Sequence, residues 1–178
     1  MLILGIETSC DETSICILRQ KPLIKTNTYS RRVKNIQNPS FVDYINSFEV
    51  LESIISSQIK IHQEFGGVVP EIGARAHADQ IHYLFNQVLI SLQNKLLAGQ
   101  ITMTALDIDK LKVSPLEILS QLDSIFVTST PGLISALRVG IEFAKSVQFF
   151  TQIQFAQTVK LQTVNHLRGH VASSFWVG

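Results

Sequence analysis

The sequence predicts an α/β domain, a mixed sheet covered by helices, from three observations. Two apolar runs, Leu2 to Glu7 and Ser14 to Leu18, flank the small polar stretch Thr8 to Thr13, and strand, polar turn, strand is a β-hairpin. Beyond the hairpin, strand-like runs alternate with stretches of helical period, in the order hairpin, strand, helix, strand, helix, strand, helix. No internal repeat or low-complexity tract interrupts that order.

Each element has a local reason. Leu2, Ile3, Leu4 and Ile6 give the first strand its apolar content, and Ser14 to Leu18 (SICIL) is the second. Lys21 to about Glu52 holds a basic cluster, Lys25, Arg31, Arg32 and Lys34, and is expected to be largely an insertion, with a candidate strand at Leu23 to Thr28. The cluster suits RNA phosphate or a solvated loop. Ile54 to Ile61 reads as a strand broken by Gly66-Gly67. Pro70 suits a helix start, and Glu71 lies in the first turn, where the helix dipole favours it. Ile72, Ala76, Ile81, Leu84, Val88 and Leu92 then keep the helical period to Leu97, with Gly99 as a stop. His77 and His82 on this helix are five apart and read as surface or packing residues. Ser114-Pro115 opens a short helix, and Asp123 to Thr128 is a buried strand. After the Ser129–Gly132 turn, Leu133 to about Phe149 is helical. Gly140 inside it costs roughly 1 kcal/mol against alanine, which implies close packing on a sheet or a ligand. Gln162 to Asn165 is the last strand.

Composition narrows the class. At 178 residues the chain can bury a real core. Charged residues make up 16%, below the usual roughly 25%, so part of the surface is expected to be covered by something else. A net charge of +1 gives no broad basic field for nucleic acid. Cys10 and Cys16 are too few for a disulfide framework, and a reducing compartment is expected. No apolar run reaches membrane-span length, and no leader is visible, so no membrane partner is expected and the location is expected to be cytoplasmic, with a mitochondrial alternative.

Two places carry candidate chemistry. His166 and His170 are four apart, so on a helix both imidazoles lie on one face, spaced to share a divalent metal. The alternative is a polar helix face, or a capping histidine beside a core one. The hairpin tip gathers Thr8, Ser9, Asp11, Glu12 and Thr13, which suit a phosphate, a hydrated magnesium ion or simply solvent. The strand–Pro131-Gly132–helix unit aims helix N–H groups at the mouth of the sheet, a place for an anion or simply an ordinary βα connection, since these glycines make no P-loop.

Four segments, in order, resemble one family. They are Gly5-Ile6-Glu7-Thr8-Ser9-Cys10-Asp11-Glu12-Thr13; Ser57-Gln58 to His62 with Gly66-Gly67-Val68-Val69-Pro70-Glu71 and Arg75-Ala76-His77; Pro131-Gly132-Leu133 with Leu137, Val139-Gly140 and Ala144-Lys145; and Val164-Asn165-His166 with Gly169-His170. They resemble TsaD, the tRNA N6-adenosine threonylcarbamoyltransferases formerly described as O-sialoglycoprotein endopeptidases. The resemblance implies a ribonuclease-H-like lobe of the actin-like ATPase superfold. It implies transfer of threonylcarbamoyl from threonylcarbamoyl-AMP to the adenosine beside the anticodon. His166 and His170 would ligate one iron or zinc ion, with a third ligand from a second lobe outside this chain. Asp11 and Glu12 would face the reaction, and Thr8, Ser9, Pro131 and Gly132 would contact substrate. The implied partners are tRNA and TsaB-like and other complex subunits. The match covers residues 1–178 as one amino-terminal lobe apart from inserts near 25–52 and 98–119. Thr130 and Arg168 stand where relatives commonly have glycine and glutamate.

Two other functions fit parts of the pattern. A non-catalytic TsaB-like scaffold fits the short chain but lacks the paired histidines. A metallopeptidase needs a base, and HxxxH offers no glutamate between its histidines.

Overall fold

The structure, a computed structural model, describes residues 1–22, 44–101 and 114–174. Its centre is a five-stranded sheet of β1 (Leu2–Glu7), β2 (Glu12–Gln20), β3 (Phe48–Ser57), β4 (Leu122–Thr130) and β5 (Lys160–Asn165), in spatial order β3-β2-β1-β4-β5. β2 is antiparallel to both β1 and β3, and β1, β4 and β5 run parallel. That order, with one antiparallel strand in second place, is the ribonuclease-H-like arrangement.

Two long helices, α2 (Pro70–Leu97) and α3 (Ile134–Phe155), pack on the sheet and on each other. Shorter ones are α1 (Ile59–Gln63) and α4 (His166–Ser173), with a 3-10 helix at Pro115–Gln121 opened by a Ser114–Glu117 capping box. Among the described residues no helix is long and apolar enough to cross a membrane.

The period-2 alternation of the strands decides which side chains meet the helices. Thr13, Ile15 and Ile17 of β2 are buried, while Ser14, Cys16 and Leu18 between them are only partly covered. Leu4, Ile15, Ile17 and Ile125 from the sheet meet Val88, Leu89 and Leu92 of α2 in one core. Gly5 lies opposite Cys16, and a Cβ there would sit 2.6 Å from the Cys16 sulfur. The same enclosure pushes the Cys16 thiol up to about 11, because burial disfavours its charged form.

Two expectations change. The strand expected at Ile54–Ile61 starts earlier, at Phe48, and ends at Ser57, where the Gln58 amide turns to Asp11 O at 2.8 Å. Ile59–Gln63 is helical instead. The 3-10 helix contributes Ile118 and Leu119 to the core. Finally, α3 runs past Phe149 to Phe155, where Ala156 ends it in the left-handed conformation with φ 52°. The basic cluster and the Leu23–Thr28 strand candidate lie outside the described residues.

Candidate metal and transfer site

The carboxyl ends of β1, β4 and β5 lie side by side, as parallel neighbours must, and ligands of open α/β sheets bind beyond such ends. Each strand delivers a polar residue there. β1 ends in Glu7, β4 supplies Thr128, and β5 runs into Asn165 and His166. Asn165 caps α4 by accepting the Arg168 amide at 3.1 Å, so the helix begins at His166. His166 and His170 then share one face. Their Nε2 atoms are 3.0 Å apart, with the rings nearly perpendicular.

Glu7 organises this corner. Its Oε1 accepts the Ser9 amide at 2.5 Å, and its Oε2 accepts the Thr128 hydroxyl at 2.6 Å. His166 Nδ1 is 3.2 Å from the same Oε2 and 3.1 Å from Ser9 Oγ. Burial alone pushes the Glu7 carboxyl up, but the hydrogen bonds from Ser9, Thr128 and His166 outweigh it and hold the group below its ordinary value. Glu7 is therefore a carboxylate at neutral pH and can only accept. A hydrogen bond to Glu7 therefore needs the proton on His166 Nδ1. The side chains of His166 and Glu7 are 28% and 31% exposed, so the pair contributes orientation more than stability.

The histidine pair fits an ion. Two imidazole nitrogens at about 2.0–2.1 Å from one metal stand roughly 2.9–3.4 Å apart, between right-angle and tetrahedral geometry. The observed spacing falls inside that range. Among the described residues, no group of three or more His, Cys, Asp or Glu gathers to complete a metal shell.

The hairpin tip beside the pair is held from below. Thr8 is fully buried, and its hydroxyl donates to Ala136 O at 2.9 Å. A Cβ on Gly140 would overlap that hydroxyl, which is the close packing expected of this glycine. Gly132 lies equally close to Ser9: a Cβ would fall 2.5 Å from Ser9 O, and the next amide, Leu133, donates to that oxygen at 2.8 Å. Thr8 and Ser9 are thus fixed by the start of α3, with only the Ser9 hydroxyl turned to the histidines. Asp11 is partly exposed, and Glu12, Pro131 and Gly132 are exposed.

On the other side, His77 is 0% exposed. Its Nε2–H donates to Cys10 O at 3.1 Å. Its Nδ1 accepts from Thr13 Oγ1 at 2.7 Å and from Gln58 Nε2 at 3.0 Å. His77 thus ties two points of the hairpin, and Gln58 just after β3, to α2, the packing role its spacing suggested, whereas His82 is exposed. Sequence reasoning named Glu7 and Gln58 only within motif segments and gave neither a role of its own. The signal for Glu7 was a charged residue closing an otherwise apolar strand.

The chain is similar to known proteins of one family. Residues 49–105 and 110–177 match the TsaD family, described as tRNA N6-adenosine threonylcarbamoyltransferase. Curated proteins of that name are similar over nearly the whole chain. The one from Caldicellulosiruptor saccharolyticus is 33% identical over 98% of this chain and 36% of its own length. The one from Fervidobacterium nodosum is 34% identical over 98% of this chain and 35% of its own. The chain thus spans about a third of the length of the curated relatives it matches. Among solved structures, YeaZ from Pseudomonas aeruginosa superposes with a TM-score of 0.45 at 16% identity, over 92% of this chain and 43% of that one.

Proposed function

Because the chain belongs to the TsaD family, we propose that it is the amino-terminal, histidine-bearing lobe of a tRNA N6-adenosine threonylcarbamoyltransferase. The observation that carries this reading is the convergence of His166 and His170, Nε2 to Nε2 at 3.0 Å, beside the hairpin tip.

The proposed reaction moves threonylcarbamoyl from its adenylate to the exocyclic amine of the adenosine beside the anticodon. That amine is weakly basic, and the electrophile is a mixed anhydride with AMP as leaving group. His166 and His170 would hold one iron or zinc ion, with a third ligand from the second lobe. Such an ion supplies positive charge that offsets developing negative charge on the substrate. Asp11, partly exposed on a backbone fixed by Gln58, orients the amine or accepts its proton, with Glu12 beside it. Ser9 and the exposed Pro131-Gly132 turn border the substrate, while Thr8 holds the tip against α3. tRNA and TsaB-like subunits are the proposed partners. The paired histidines favour this reading over a non-catalytic scaffold.

The test is a chimera. Residues 1–174 replace the matching amino-terminal part of the Caldicellulosiruptor saccharolyticus relative, and threonylcarbamoyladenosine in tRNA is measured by mass spectrometry. The chimera is expected to modify tRNA, and its His166→Ala/His170→Ala form is not. A folded chimera without activity, or one indifferent to the histidines, overturns the proposal.

A further inference from the structure

We propose that Glu7 is a positioning residue for the histidine pair: its carboxylate holds the proton on His166 Nδ1 and so keeps the Nε2 lone pair aimed at the space shared with His170. The inference rests on the metal-site reading above and adds a residue to it. Glu7 is built for the task. It closes β1 at the centre of the sheet, and its two oxygens are pinned by the Ser9 amide and the Thr128 hydroxyl, from the hairpin and from β4. The carboxylate therefore cannot swing, and the imidazole that donates to it is fixed in both tautomer and rotation. Histidines that bind metals characteristically donate their other nitrogen to such a group.

The pair is asymmetric in consequence. His166 is anchored by Glu7 and Ser9, while His170 stands exposed, its side chain meeting the His166 ring. A metal captured here meets one preset nitrogen and one that adjusts. Ser9 Oγ, 3.1 Å from the same Nδ1, is a secondary neighbour. Being neutral, it lacks the charge that makes the Glu7 contact strong.

The first measurement needs no variant. Nitrogen–proton correlation spectra of the imidazoles, taken on the full chain without metal at about pH 8, above the ordinary histidine range, read the tautomer directly. His166 is expected as the Nδ1–H form. The Nε2–H form in the wild-type chain overturns the inference. The second measurement is competition for Zn2+ against a chromophoric chelator. Glu7→Ala is expected to weaken Zn2+ binding by about 10- to 100-fold, the usual cost of losing such a partner. Glu7→Gln keeps an uncharged acceptor, so it is expected to retain the tautomer and fall between the two. Zn2+ affinities of wild type, Glu7→Gln and Glu7→Ala within about twofold overturn the proposal. Should Glu7→Ala not fold, the wild-type tautomer and Glu7→Gln decide alone. His166→Ala separates the two claims. If it weakens Zn2+ binding and Glu7→Ala does not, only the role of Glu7 falls. If it changes nothing, the metal site falls with it.

Discussion

Replacing His77 with leucine tests how the hairpin tip is held. Leucine nearly fills the space but removes both nitrogens. Three groups lose a partner: Cys10 O, the Thr13 hydroxyl and the Gln58 amide. The Gln58 amide keeps Thr13 Oγ1 at 3.2 Å, and Cys10 O lies near enough to the surface to gain water. The Thr13 hydroxyl, fully buried, bears the main loss. A buried group left unsatisfied costs about 1–3 kcal/mol, so the variant should lose about 2–3 kcal/mol, or roughly 4–12 °C in Tm for a chain of this size. Urea titration followed by circular dichroism measures it. The loss should also depend on pH. Burial, the largest influence, lowers the folded-state pKa of His77. The unfolded chain, at the ordinary value of about 6.5, then binds the proton more tightly. The contribution of His77 is full above about pH 6.5 and is lost as the pH falls through that value towards the folded one. The gap between wild type and His77→Leu should therefore narrow from pH 7 to pH 5. A gap under about 0.5 kcal/mol, typical of a surface change, or one that widens on acidification, refutes the argument.

Gly140→Ala gains roughly 1 kcal/mol of helix propensity but drives a methyl group into buried Thr8. It should destabilise by about 1–2 kcal/mol net, and Thr8→Ala in the same chain should relieve most of that in a double-mutant cycle. A stabilised Gly140→Ala would show that α3 sits further from the hairpin than described. Alkylation should separate the cysteines: at pH 8, peptide mass spectrometry should find exposed Cys10 labelled and Cys16, with its thiol pushed up to about 11, protected until the chain unfolds. Equal labelling of both in the native chain contradicts the packing of Cys16 over Gly5.

Much of this architecture was legible locally. Pro70 and the 3.6-residue period placed α2, and the apolar run of Leu2–Ile6 placed β1. β3 was less legible because Glu49 and Glu52 look like loop residues in sequence. Their partners lie far along the chain: Glu49 pairs with Arg19 at 2.7 Å, and Glu52 pairs with Lys95 at 3.0 Å and hydrogen-bonds Ser91. Four isoleucines between 54 and 61 suggested a continuous strand, but the backbone turns at Gln58, with ψ 6°, and its carbonyl accepts the Ile61 and His62 amides, which ends the strand after Ser57 and starts α1. The site followed the same rule. The histidine spacing is local and was visible. The Glu7–Thr128–His166 contacts join residues more than a hundred positions apart and became visible only once β1, β4 and β5 were neighbours.

A single ion shared by His166 and His170 can be seen by counting its ligands. X-ray absorption of the full chain loaded with Co2+ counts imidazole ligands directly. Two imidazoles in the wild type and one in His170→Ala are the predicted result. One imidazole or none in the wild type, or a count unchanged by His170→Ala, rules out an ion shared by the two histidines.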